Sequence, residues 1–279
     1  MINSRYAASM VNRDHWIPRN IDLVTPSSAR LYDYYLGGSN NFAADRELAR
    51  KVLAVAPQIR ATALANRAFL RRAVRYLVAA GIRQFLDIGA GIPTVGNTHQ
   101  IAQQLDPDIR VVYVDNEPVA VAHSELLLSD EPNAEIVEAD FRDPAGVLDA
   151  RETRALLDFD QPIGLLLCAV LHYVPDADRP AEILASYREA LAPGSHVAIT
   201  HITGDDQPDA LREVAELYAT SQNPGQPRSR DEFTALFAGF EVVEPGVVYL
   251  DQWRPERPED VGEHPERSLA YGAVGRLVS

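Results

Sequence analysis

The apolar positions of the chain change rhythm once, near residue 83. Before that point they recur every three to four residues: Leu70, Ala73, Val74 and Leu77 share one face of a helix predicted over 61–80 and stopped by Gly81. A second helix is predicted from about Ala44 to the stop at Pro57, and a short one from Ser27 to the Gly37-Gly38 break. Residues 1–26 are polar and irregular and read as a loosely ordered arm. After residue 83, short apolar runs alternate with helical ones. Strands are predicted at 83–88, 110–114, 134–137, 162–167 and 196–200, separated by helices at 98–105, 118–128, 144–156 (largely helical) and 181–191. Further helices at 208–220 and 230–238 follow, the second opening with the capping box Ser229-Arg230-Asp231-Glu232. Strands at 241–243, 247–250 and 269–277 complete the series, the last two joined by a proline- and glutamate-rich loop. The run PIGLLL at 162–167 does not alternate, as expected of a strand covered on both faces. Alternating strand and helix from 83 to 240 impose a mostly parallel sheet with helices on both sides. The division expected is an arm at 1–26, a helical lid segment at 27–82 and a core at 83–279.

Composition narrows the class. With 46% hydrophobic and 24% charged residues the 279-residue chain has the balance of a soluble globular protein. Its single cysteine, Cys168, excludes a disulfide framework and a paired-cysteine zinc site. The longest apolar stretch, 163–171, is too short to cross a bilayer, and the N-terminus has no apolar core for a secretion signal. A cytoplasmic protein without a membrane partner is expected. The net charge of −14 argues against a generic nucleic-acid surface. Charge is uneven: residues 1–84 carry 13 basic and 5 acidic side chains, the remainder 13 basic and 35 acidic. An arginine-rich helical segment packed against an acidic core explains this; a basic rim that attracts an anionic substrate is the second reading. The histidines outside 172 show no metal-ligand spacing, His196 and His201 pointing to opposite faces of one strand, and no metal is expected.

In a doubly wound sheet, ligands bind outside the carboxyl ends of the strands. After the first core strand comes Asp87-Ile88-Gly89-Ala90-Gly91-Ile92-Pro93, whose two glycines let the backbone turn tightly and approach a ligand. After the second comes Asp115, a carboxylate able to accept both hydroxyls of a ribose; it could equally cap the helix from Pro118. After the third come Asp140 and Phe141, an acceptor and an aromatic edge suited to an adenine, although Asp-x-Arg-Asp-Pro also forms self-contained turns. After the fourth come Cys168 to Tyr173. The dinucleotide fingerprint GxGxxG aims a helix N-terminus at a pyrophosphate. Here an acidic residue precedes the first glycine by two positions and Pro93 stands where a nearby third glycine would be expected. A carboxylate at that entrance repels a pyrophosphate and suits an amino group or a sulfonium, which favours S-adenosylmethionine over NAD.

The runs FLDIGAGIP, VVYVDNEP, EADFRDP and LLLCAVLHYVPD resemble the pattern of class I S-adenosylmethionine-dependent methyltransferases. With PSSARLYDYYLGGSNNFAADR and NRAFLRRAVRYL upstream, residues 22–279 resemble, more narrowly, a bacterial S-adenosyl methyltransferase family long catalogued as a domain of unknown function. The resemblance implies a Rossmann-like, seven-stranded, mostly parallel α/β sheet with the last strand inserted antiparallel. It also implies that Asp87, Gly89 and Gly91, with Ala90 between them, wrap the methionine part of S-adenosyl-L-methionine. Asp115 and Asn116 would then hold the ribose, and Asp140 and Phe141 the adenine. Pro93 departs from the pattern and predicts a stiffer loop.

The remaining candidates carry two readings each. Arg30 and Tyr34, before the Gly37-Gly38 hinge, either pack a helix or face the cofactor from a lid. Arg67 pairs either with the cofactor carboxylate or with an acidic neighbour. His172, with an ordinary pKa of about 6.5, is a general-base candidate or a loop residue beside the adenosine; Tyr34 is the other catalytic candidate. Cys168 reads as a small buried residue at the cofactor rather than a nucleophile. The function expected is methyl transfer to a small-molecule acceptor. A cofactor-binding sensor without catalysis and a nucleotide-dependent oxidoreductase are the rivals.

Overall fold

The computed structural model describes residues 21–94 and 96–278. Most of the expected arm lies outside the described residues; its end, 21–26, is irregular. Three helices come first: α1 (Ser28–Tyr35), α2 (Ala43–Val55) and α3 (Ile59–Ala79). The GGSNN segment after α1 is fastened by the Asp33 carboxylate, which accepts from Asn40 N at 2.8 Å and Asn41 Nδ2 at 2.8 Å. Gly38 packs so tightly on Asp33 that a Cβ there would lie 2.0 Å from Oδ1. The double glycine is thus a locked turn.

The core alternates β1 (Gln84–Ile88), α4 (Thr98–Gln103), β2 (Arg110–Asp115), α5 (Pro118–Leu128) and β3 (Ala134–Glu138). The helix expected over 144–156 is two short ones, α6 (Pro144–Leu148) and α7 (Arg151–Leu156), because Ala150 is extended between them. There follow β4 (Gly164–Cys168), α8 (Pro180–Ala190), β5 (His196–Ile202), α9 (Pro208–Tyr218) and α10 (Arg230–Ala235). The α10 capping box forms as expected: Glu232 Oε2 accepts from Ser229 N at 2.8 Å.

Strands run in the order β3-β2-β1-β4-β5 in parallel, and the final strand β8 (Ala270–Arg276) lies antiparallel beside β5. The outer edge is one strand broken in two, β6 (Glu241–Val242) and β7 (Val248–Tyr249), pairing with opposite ends of β8. The break is a turn in which Gly246 N donates to Val243 O, so eight strands stand where seven were expected. The architecture is the expected one.

Alternation along β1 explains the two cores. Phe85 faces the α3 side with Phe69, Leu70, Val74 and Leu77, while Leu86 and Ile88 face the α8 and α10 side with Leu184, Tyr187 and Phe233. A third apolar cluster joins α1, α2 and the start of α3 to α9 through Leu31, Tyr35, Val52, Ile59, Leu211 and Tyr218. The helical segment before β1 is therefore seated on the carboxyl ends of the central strands. The reversal of strand order between β1 and β4 opens the crevice beneath it.

Candidate functional site

A cavity of about 120 Å³ occupies that crevice. Its floor is the turn after β1. Gly89 N and Ala90 N both donate to Val114 O, folding the loop over the end of β2. Gly89 has φ +65°, and a Cβ there would lie 2.1 Å from a methyl of Val170 in the loop after β4. Gly91 has φ +67° and open space where a Cβ would be, so the turn's backbone faces the cavity bare. The third left-handed glycine is Gly96, not a residue at 93; Pro93 lies outside the lining.

Two buried carboxylates stand beside this turn. Asp87, the penultimate residue of β1, accepts from Thr98 Oγ1 at 2.6 Å. Asp115 ends β2 and accepts from Gly91 N at 2.7 Å through Oδ2 and from Glu117 N at 2.9 Å through Oδ1. It therefore orders both the glycine turn and the entry to α5. Lone-pair capacity is left over for a ligand. Burial pushes both carboxyls up to about 6, against Arg67, whose charge lowers Asp87.

Farther along, Asp140 is gripped by Arg142, whose Nε lies 3.0 Å from each carboxylate oxygen, and that hydrogen bonding holds its pKa below the ordinary value. The self-contained turn forms, yet Asp140, Phe141 and Arg142 all line the cavity. Phe141 is fixed through its carbonyl, which accepts from Tyr187 OH at 2.9 Å. Asn116 and Cys168 complete the wall, and burial pushes the Cys168 thiol well up, so it is not a thiolate. Arg67 lines the cavity too and donates to Gly96 O at 2.7 Å.

Ala169 takes φ +62°, unusual for a residue with a side chain. A relay holds it there. Its N–H donates to Thr200 Oγ1 at 2.8 Å, that hydroxyl to Asn66 Oδ1 at 2.6 Å, Asn66 Nδ2 to Tyr32 OH at 2.8 Å, and Tyr32 to Ala63 O at 3.1 Å. Beyond the relay lies a second cavity of about 80 Å³. Tyr32, Asn66, Ala169 and Tyr173 line both.

Two expected site residues are elsewhere. Arg30 is buried in an ion-pair network, its Nε 2.9 Å from Asp45 and its Nη1 2.8 Å from Glu117, with Nη2 on Thr25 O. Tyr34 is outside both linings and packs edge-on to Tyr35. Residues 30 and 34 share one face of α1; the cavity meets the face of Ser28 and Tyr32, two residues and about 200° away. The i, i+4 spacing of Ser28 and Tyr32 was the available signal. His172 belongs to the second cavity, not the first. Tyr32 and Arg142 are lining residues that motif reading missed; Tyr173, the end of the Cys168–Tyr173 run, lines both cavities.

A parallel five-strand unit with a reversed strand beyond β5, and a glycine turn between two buried carboxylates, define a class I S-adenosylmethionine-dependent methyltransferase. Residues 14–278 match the model of the S-adenosyl methyltransferase family, and the chain belongs to that family; S-adenosyl-L-methionine is its cofactor. A crystal structure of a candidate methyltransferase from Thermobifida fusca YX is similar over 95% of this chain and 100% of its own, with 39% identity and a TM-score of 0.89. A DUF574 family protein from Streptomyces avermitilis MA-4680 is similar over 92% and 99% of the two chains, with 41% identity and a TM-score of 0.88. No curated protein matches the chain. Among the described residues, no helix is long and apolar enough to cross a membrane.

Proposed function

We propose that this methyltransferase acts on a small-molecule acceptor seated in the second cavity, beyond Tyr32 and Asn66. The observation that carries the reading is that four residues line both cavities, which sets a largely apolar second space directly beside the first. The donor set of the first cavity fits the cofactor: three buried carboxylates (Asp87, Asp115 and the Arg30-paired Glu117), Arg67 for the cofactor's own carboxylate, and a turn whose Gly91 leaves room for close approach. When bound, the cofactor supplies a methyl carried on a sulfonium, which the acceptor's lone pair takes while sulfur keeps the bonding electrons.

In this reading Asp87, Gly89, Ala90 and Gly91 surround the methionine part, and Arg67 uses its free donors on the carboxylate. Asp115 and Asn116 take the ribose hydroxyls; Asp140 and Phe141 border the adenine, with Cys168 beneath. What remains for the protein is alignment and exclusion of water. His172, at the wall of the second cavity, is the residue proposed to accept a hydrogen bond from the acceptor and so orient it. Burial drives its pKa well below the ordinary value, so the ring is neutral and has a nitrogen lone pair to offer.

Calorimetry tests the reading. S-adenosylhomocysteine should bind, and Asp115→Ala should weaken it strongly, while NADH gives no heat. Heat from NADH with silence from S-adenosylhomocysteine overturns it. Tight binding with no methyl transfer to any screened small molecule would instead favour a sensor.

A further inference from the structure

The second cavity has a chemistry of its own. Among its lining residues none is Asp, Glu, Lys or Arg. Its walls are aromatic and aliphatic: Tyr35, Tyr173 and Tyr218 on one side, with Ile59, Leu211 and Val214 closing the rest. The tyrosine rings lie obliquely, Tyr173 and Tyr218 with centroids 6.0 Å apart, and His172 leans on Tyr173 at 4.3 Å. Such walls offer ring faces and edges to a flat guest. The volume, about 80 Å³, is room for several waters at ~10–15 Å³ each.

The polar atoms of the wall are nearly all committed. Tyr35 and Tyr218 share a hydrogen bond at 3.1 Å, and Thr200 and Tyr32 belong to the relay. His201 donates through Nδ1 to Ile202 O at 2.8 Å and accepts at Nε2 from Arg228 at 2.7 Å, which fixes a neutral tautomer. Arg228, behind the wall, spends its other donors on Leu171 O, Val174 O and Asp176, and Arg60 donates to Tyr35 O at 3.1 Å. Among the described residues of this wall, only His172 keeps a buried ring nitrogen, Nδ1, without a partner. Burial holds His201 at about 3 and His172 low, and raises the tyrosines, so nothing facing the cavity is charged at neutral pH.

We infer that the acceptor presents to this cavity an uncharged aromatic ring bearing one hydroxyl or N–H group, which it offers to His172. This rests on the methyl-transfer reading and adds the acceptor's class. A charged acceptor would leave water with no counter-charge to meet it, a transfer that is strongly disfavoured. A sugar or polyol would bring more hydroxyls than the wall has free partners.

The test uses the full-length protein saturated with S-adenosylhomocysteine. Binding of phenol, toluene, benzoate and benzylammonium is followed by titration calorimetry and by the ring-proton NMR signals of His172. Phenol should bind at least tenfold tighter than either charged ring and shift the His172 signals. His172→Phe should reduce phenol to the level of toluene. Ala215→Phe, a half-buried α9 position, should fill the cavity and weaken phenol at least tenfold while S-adenosylhomocysteine affinity stays within twofold. Charged rings binding as well as phenol, or phenol unaffected by Ala215→Phe, would overturn the inference. Failure of S-adenosylhomocysteine to bind at all would overturn the methyl-transfer reading beneath it, so the two failures are distinct.

Discussion

The two joined cavities are built on opposite plans. The first cavity is the more polar of the two, its carboxylates and backbone amides supplied by the ends of β1 to β4 within short stretches of chain. The second is apolar, assembled from α1, α3, α9 and the segment after β4, up to 183 residues apart in the case of the Tyr35–Tyr218 hydrogen bond between α1 and α9. A cavity made at strand ends is fixed by the sheet. One made between helices is fixed only by how those helices dock, and its chemistry is correspondingly easier to vary.

The largest effect that would break the comparison is loss of the docking itself. Arg30→Ala strands Asp45 and Glu117 as buried unpaired charges, and should destabilise the fold by about 3–5 kcal/mol in chemical denaturation. Because Glu117 adjoins the Asp115 loop, S-adenosylhomocysteine binding should weaken as well. Next is Asp115→Ala, which removes the acceptor of two backbone amides along with the proposed ribose contact. Its expected loss is about 2–3 kcal/mol in S-adenosylhomocysteine affinity by calorimetry, with phenol binding at the second cavity little changed.

A pH series sharpens the contrast. Asp87 and Asp115 titrate near 6 in the ligand-free protein, and a cationic ligand lowers those values. Affinity for S-adenosyl-L-methionine should be flat from pH 8 to 7. Below about pH 6 it should fall by up to tenfold per pH unit for each carboxylate. Occupancy of the second cavity by a neutral ring should not follow that curve. For the ligand-free fold the sign is reversed. A carboxyl raised on folding contributes stability that is complete below its unfolded value, about 3.9, and is lost as pH rises through about 6. The smallest effect is Tyr32→Phe, which cuts the relay between Asn66 and Ala63 O. It should cost about 1 kcal/mol of stability and reduce methyl transfer more than S-adenosylhomocysteine binding, read as kcat against Kd.

How much of this was legible in the sequence follows the same division. Asp87, Gly89, Gly91 and Asp115 could be placed because each sits at the end of an apolar run, and a parallel sheet gathers such ends at one edge. The antiparallel last strand, implied by the family resemblance, was also found. The two short strands near 241–243 and 247–250 were read from their apolar runs; that both pair with one strand, β8, on either side of the Val243–Gly246 turn was not, because alternation does not specify pairing. On α1 the face was misjudged. Arg30 and Tyr34 carry the more conspicuous chemistry, but Arg30 is drawn inward by Asp45 and Glu117, a pairing that spans 87 residues in the second case. Tyr32 then turns to the cavity. The cavity that would take the acceptor was invisible for the same reason: its members share no motif and meet only through helix docking.

The sharing of Tyr32, Asn66, Ala169 and Tyr173 by both cavities sets the terms on which this scaffold can be re-engineered. Leu211, Val214 and Ala215 of α9 touch only the outer space. A library confined to those three positions can retune which guest is admitted without disturbing donor capture. One that reaches into the shared quartet alters both at once.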